Sequence, residues 1–276
     1  MWWKGSHTPA EPDALDSILA MLRRAGTDAA PFPPAILFNE GWMLRLVLAA
    51  HERGINCLPF PFLPGSSWYS DARIPSKFLR RSRGDRLAEA WTHADGIVGR
   101  FEFVGGTKAG IRLSPDARQL VVIEAKMFSP LSPGTKNLPL YDQVTRTVAC
   151  MATLVGDCGK PIESYESLGF YVLAPREQIM AGAFTKELDM EKINGKVESR
   201  IELYRSDPRY DELGRWYETT FLPLLGMMEV QELSWEDAID RIKEVNPSLG
   251  MSIGDFYDSC LLCNGRKTKS STAPRS

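Results

Sequence analysis

No apolar run in this 276-residue chain is long enough to span a bilayer. The opening Met1-Trp2-Trp3-Lys4 lacks the apolar stretch of a secretory leader, so a cytoplasmic protein is expected. No glycine-rich phosphate loop and no nucleophile elbow is present, which removes the nucleotide-cradling and serine-hydrolase signatures. Histidine is scarce: His7, His51 and His93 lie far upstream of Cys260 and Cys263, whose C-x-x-C spacing has no second pair. Zinc needs four ligands, so residues 254–263 read as an amphipathic helix rather than a metal knuckle. The cysteine count, five, is odd, and Cys57, Cys150 and Cys158 sit in or beside apolar contexts, so reduced thiols are expected. A net charge of −2 excludes a global polycation, and any affinity for nucleic acid must come from a local patch.

Against these absences one run stands out: Val121-Val122-Ile123-Glu124-Ala125-Lys126-Met127-Phe128 sets an acid and a base two residues apart inside an apolar strand. Side chains at i and i+2 share one face of a strand, so Glu124 and Lys126 point the same way. Either the strand ends with one face in water, or both charges are buried with partners, since unpaired burial is costly. A metal ion or a second charged group is the effective partner for such a carboxylate.

The flanking sequence narrows the choice. From Gly96 the chain reads as a strand with Asp95 at its mouth; Gly105-Gly106 marks a turn, residues 109–113 are extended, and Ser114-Pro115-Asp116-Ala117 is a turn by composition. Asp95 and Glu124 then fall on neighbouring strands of an antiparallel meander. Two carboxylates brought together repel unless a cation lies between them, and magnesium takes one or two protein carboxylates while keeping several waters. His93 shares parity with Asp95; it could orient a water or phosphate, but a hydrogen-bonded structural histidine is the favoured reading. Residues 35–53 read as one amphipathic helix with Ile36, Met43, Leu44, Val47 and Ala50 near one face, Glu40 on that same face, and Gly54 as the stop. Residues 141–155 form a second helix ended by Gly156, with Val144, Val148, Met151 and Val155 as its stripe and Gln143 and Arg146 one turn apart beside it. Residues 167–174 make a short apolar strand.

In order of elements and in motif residues, positions 35–175 resemble the PD-(D/E)xK nuclease superfamily. The correspondences are Glu40 on the first helix, Asp95 at a strand mouth, Glu124-Ala125-Lys126 on the next strand and Gln143 on the second helix. Ala94 stands where the family name has proline, and the loop before Asp95 is long. The resemblance implies an α/β fold with a restriction-endonuclease-like core of helix, mixed-sheet strand meander, helix and strand. It implies a Mg2+ (or Mn2+) site made by Asp95, Glu124 and the main-chain carbonyl of Ala125, with Glu40 holding a second metal or a metal-bound water. Lys126 orients the attacking water, Gln143 braces the nucleophile side and Arg146 contacts phosphate. The implied activity is hydrolysis of phosphodiester bonds, in DNA more than RNA, in restriction, phage defence or repair. The alternative is a catalytically silent nuclease fold that binds nucleic acid or assembles with a partner; the acid–lysine cluster is then an ionic network.

A local basic patch exists. Lys77, Arg80, Arg81, Arg83 and Arg86 stand against the single acid Asp85 just upstream of Asp95, either to neutralise phosphates or as a solvated loop; Trp68 and Tyr69 could stack on bases or pack. The remaining organisation reads as an N-terminal arm (1–34) and a helical C-terminal extension (176–265) packed on the core, then a disordered basic tail (266–276). Within the extension, residues 189–204 are interrupted by Asn194-Gly195 and read as two pieces. Ser234 opens a helix that Asn246-Pro247 ends, and the large apolar residues of 216–228 pack beside the core or at a subunit interface. If the cluster contacts phosphates, replacing Arg80, Arg81 and Arg83 with alanine flattens the salt dependence of duplex binding by up to ~0.9 log unit per lost contact. An unchanged slope in a salt-titrated binding assay would assign the cluster to solvated surface.

Overall fold

A computed structural model describes residues 33–80, 84–85, 87–89, 91–134, 138 and 140–265. The arm, the basic tail, and Arg81, Arg83 and Arg86 of the basic patch lie outside the described residues, apart from the last two positions of the arm.

The centre of the molecule is strand β5 (Gln119–Ala125), in which every residue is buried. Such a strand must be covered on both faces, and its alternation shares it between two layers. Leu120 and Val122 join one core cluster; Val121, Ile123 and Ala125 join the other. Strands β1 (Ser67–Ile74) and β2 (Thr92–Gly99) precede it, with a separate hairpin of β3 (Phe101–Phe103) and β4 (Ile111–Leu113) inserted before β5. Strands β6 (Ser167–Ala174) and β7 (Glu229–Ser234) follow, completing a five-stranded sheet of order β1-β2-β5-β6-β7. The first three strands of that order pair antiparallel and the last three pair parallel, so the sheet is mixed. Asp95 and Glu124 therefore do sit on adjacent antiparallel strands.

The helices take their ends from local chemistry. Helix α1 (Glu40–Glu52) is shorter than the 35–53 reading, because Asn39 is extended and its side chain accepts from the Trp42 N–H as the N-cap. Residues Pro34–Ile36 form a separate 3-10 turn, and Ile36 is exposed rather than on the apolar face. Helix α2 (Gln143–Cys158) is capped by Asp142 and buries Val144, Val148, Met151 and Val155. It runs through Gly156, the expected stop, and ends at Gly159, whose φ of +70° supplies the left-handed C-cap.

Short helix α3 (Arg176–Met180) follows β6, and α4 (Met190–Glu202) is a single helix rather than two pieces. Burial of Ile193, Val197 and Ile201 outweighs the about 1 kcal/mol that a mid-helix glycine costs. Helix α5 (Tyr210–Trp216) leads through a π-helical stretch (Tyr217–Phe221) into α6 (Leu222–Met227), which packs Phe221 and Leu224 into the core on the α2 face. Helix α7 (Trp235–Val245) is capped by Ser234, and α8 (Pro247–Asn264) starts well before the expected 254, with Asn246 as N-cap. The C-terminal third is thus more than a helical extension. It supplies an edge strand, and α7 and α8 join α1 to cover one face of the sheet, while α2, α4 and α5 cover the other.

Between β2 and β5 the backbones approach too closely for any side chain at Gly99, where a Cβ would lie 2.5 Å from the Gln119 carbonyl oxygen. Gly99→Ala is expected to destabilise the protein by about 1–3 kcal/mol. Gly105→Ala, which meets nothing within 4 Å, serves as its neutral control. Equal urea midpoints for the two variants would contradict this packing.

Candidate active site

Asp95 stands at a defect in β2. Ala94 and Ile97 both face the α2 layer, while Gly96 lies against Leu44 of α1, so the side-chain alternation breaks around Asp95. β1 pairs with β2 through Ser70↔Gly96 and through Ala72↔Ala94, and Asp71 between those pairs takes a φ of +58°. Aspartate tolerates this left-handed conformation better than most residues, and Arg45 holds its carboxylate at 2.7 Å. The β2–β5 ladder starts at Gly96↔Ile123, so Asp95 lies just beyond it. Its side chain takes the place of the missing main-chain partner, Oδ2 accepting the Ala125 N–H at 2.9 Å. In an extended strand a carbonyl leaves on the same side as its own N–H, which directs the Ala125 carbonyl toward the Asp95 strand.

Glu124 shares the α2 face with Leu120 and Val122 and is 2% exposed. Its Oε1 accepts from Lys126 Nζ at 2.6 Å and also from Gln143 Nε2, whereas Oε2 is buried with no partner. Gln143 is held in that orientation: its Oε1 accepts the Ser132 N–H at 3.1 Å and its own N–H donates to the Ser132 carbonyl at 2.9 Å. Because Gln143 is the first residue of α2, the Asp142 cap sets where its amide lies. Burial pushes the Glu124 carboxyl up to about 8; the Asp95 charge adds to the rise, and Lys126 opposes it.

These four side chains converge as the sequence implied; Glu40 does not join them as a third carboxylate. Among the described residues no three His, Cys, Asp or Glu groups are placed to hold a metal ion, and the Glu40 charge is felt instead at Cys260 of α8. The donors that remain are two carboxylates and one carbonyl, all oxygen, with one buried carboxylate oxygen unused. That set fits a hard cation such as magnesium, which completes its shell with water.

Lys77 and Arg80, the described members of the basic patch, belong to a strap between β1 and β2 that is anchored at its described residues. Arg200 of α4, only 2% exposed, donates to the Leu87 carbonyl and lies 4.9 Å over the Phe78 ring. Tyr204 adds a hydrogen bond to the same carbonyl at 2.9 Å, and Arg209 pairs with Asp85 at 3.1 Å. Lys77 is engaged by Glu212 at 3.3 Å rather than standing alone, while Arg80 lines an open cavity with Asp85, Glu89 and Trp91. Arg146 is half-buried on α2, its Nε without a partner and its charge felt at Glu89. Trp68 and Tyr69 pack on the protein: Trp68 donates to Glu52 at 2.9 Å and Tyr69 meets Phe103 edge-on at 4.9 Å.

His93 is exposed, not the structural histidine expected. That part falls to His51, which sequence reasoning passed over: its Nε2 lies 2.7 Å from the Phe60 carbonyl and its Nδ1 accepts the Leu58 N–H at 3.3 Å. Since a carbonyl only accepts, Nε2 carries the proton, and burial lowers the tendency of His51 to take a second one. The buried Arg200 was equally missed; no spacing rule marks an arginine destined for the core. All five cysteines are free, Cys260 buried and Cys263 exposed on α8. No family model, no curated protein and no solved structure matches the chain.

The raised carboxyl has a definite consequence for stability. Between the ordinary value of 4.5 and about 8, native Glu124 keeps a proton that the unfolded chain releases. Stability from this group is therefore full below 4.5 and is lost as pH rises toward about 8. In chelator, Glu124→Gln should melt higher than wild type at pH 8, with little advantage near pH 4.5. A pH-independent difference in melting temperature would refute the assignment.

Proposed function

We propose that this protein is a divalent-metal-dependent nuclease built on a restriction-endonuclease-like core. The observation that carries the reading is the buried Glu124 carboxyl, bonded by Lys126 and Gln143, raised by the Asp95 charge and keeping one oxygen unpartnered. The succession of helix α1, the antiparallel strands β1, β2 and β5, helix α2 and the parallel strand β6 agrees with the order that the motif resemblance implies.

Asp95, Glu124 and the Ala125 carbonyl are the groups that would hold Mg2+ or Mn2+, and a cation bound there supplies Lewis acidity to the phosphate and a more acidic water. The chain's own residues supply the rest. Lys126 presents an ammonium 2.6 Å from Glu124, where it can orient a water and offset negative charge on the phosphoryl oxygens. Gln143 holds the Glu124 carboxyl in one orientation and, through Ser132, ties the following loop to it. Arg146 lies one turn after Gln143 on α2 and is the cation nearest in sequence to that end of the helix that could meet a phosphate. DNA is the favoured substrate, and restriction, phage defence and repair are the processes in which such an activity serves.

A catalytically silent protein that binds nucleic acid has one observation in its favour: Lys126 already neutralises Glu124 within the protein. The two readings part on metal. A nuclease takes up Mg2+ at Asp95 and Glu124, more tightly as pH rises toward about 8 because the Glu124 proton must leave.

The deciding measurement is cleavage of labelled linear and circular DNA with Mg2+ or Mn2+. Lys126→Met should lower kcat by about 10²-fold or more, in the range typical for a group that stabilises charge in the transition state, with DNA affinity unchanged. Absence of cleavage of single- and double-stranded DNA and RNA with either metal would overturn the proposal.

A further inference from the structure

Lys126 occupies an end that has to be held. β5 closes at Ala125, and Lys126 adds a last bond, its N–H donating to the Leu173 carbonyl of β6 at 2.8 Å. Two residues on, the chain leaves the sheet through Phe128, whose φ of +69° lies in the left-handed region. For a bulky aromatic residue that conformation is an outlier, and it persists only where surrounding contacts over-determine it.

Two side chains supply those contacts, and both come from the chain beyond β6. The indole N–H of Trp235, a fully buried residue, donates to the Lys126 carbonyl at 2.9 Å. Gln178 Oε1 accepts the Phe128 N–H at 3.0 Å. Topology brings them there. β5, β6 and β7 run parallel with Ala125, Leu173 and Leu233 in one row, so their carboxyl ends share one edge of the sheet. Gln178 lies in α3, just after β6, and Trp235 opens α7, just after β7. The two helix starts are fastened to each other: Glu236 accepts the Arg176 N–H at 2.9 Å, and the Arg176 guanidinium reaches Asp237 at 2.7 Å.

We propose that Trp235 and Gln178 are positioning residues that hold the main chain on either side of Met127 so that the Lys126 ammonium stays on Glu124. Its consequence for catalysis rests on the nuclease reading; its consequence for Lys126 does not. With the carbonyl bond gone, Lys126 keeps only its N–H to β6 as a main-chain anchor, and rotation at that residue displaces the ammonium. A catalytic group moved by about 1 Å can cost on the order of 10²-fold in rate.

The test uses the full chain with Trp235→Phe, which keeps a ring and loses the N–H; Gln178→Met, which loses the acceptor; and Gln178→Glu, which restores it. Acetylation of each lysine by an amine-reactive ester is followed by peptide mass mapping, with Lys192 and Lys243, whose side chains are 48% and 45% exposed, as references. Lys126, at 10% side-chain exposure, should be protected in wild type and in Gln178→Glu. In Trp235→Phe and Gln178→Met it should label about 10-fold faster, with the references unchanged, and kcat for DNA should fall about 10-fold or more at constant KM. Unchanged Lys126 labelling in both variants, Gln178→Glu behaving as Gln178→Met, or a parallel rise at the reference lysines would each overturn the proposal. A wild type that shows the labelling pattern yet cleaves nothing would overturn the nuclease reading and support the clamp.

Discussion

Glu124 gives up its water one residue from the end of a strand whose every residue is buried. A carboxyl so placed has to be met by donors, neutralised by a proton or compensated by a cation, because bare burial of the charge is prohibitive. The fold uses the first two means: Lys126 and Gln143 donate to one oxygen, and burial with the Asp95 charge alongside favours the proton. The second oxygen has no partner, and that leaves room for the third. Each neighbour is there for a local reason. Lys126 reaches because strand side chains repeat every second residue, Gln143 because Asp142 caps α2 at that point, and Asp95 because the β2 ladder fails one residue before it would have paired.

The same constraint orders the rest of the chain. A strand buried on both faces needs two helical layers, and residues 35–175 supply only part of the second. The layer opposite α2 is completed by α7 and α8, and the sheet is extended by β7, so the C-terminal third belongs to the architecture of the site. On the other face, α4 and α5 hold the strap between β1 and β2 with Arg200, Tyr204 and Arg209. The Arg200 guanidinium lies over the Phe78 and Tyr204 rings, and Arg80 of the strap lines a cavity with Asp85 and Glu89.

How much could be read in advance depended on whether a residue's environment is local. β5 was legible because its apolar run admits little else, and α2 because Val144, Val148, Met151 and Val155 repeat at helical spacing. β1 and β7 were not. Their sequences, SWYSDARI and EVQELS, mix polar residues through edge strands with one open side, and only pairing with β2 and β6 makes them strands. Helix ends slipped for a similar reason: Asn39 and Gly159 set the limits through backbone conformations that neighbouring candidates such as Gly156 could equally have taken.

The amino-acid sequence by itself determined the central buried strand, the shared face of Glu124 and Lys126, the adjacency of the Asp95 and Glu124 strands, and the existence of the helix that carries Gln143, read as 141–155. All of these follow from periodicity, turn residues and capping over a few positions. Tertiary structure alone decided that Glu40 stays out of the carboxylate pair, that His51 and not His93 is the buried histidine, and that Trp235 and Gln178 meet the backbone beyond Lys126. Those outcomes depend on contacts between segments separated by 50 residues or more, or on the packing of whole helices. No local pattern records them, because an indole meets a carbonyl across 109 positions of chain only once three parallel strands have aligned their ends.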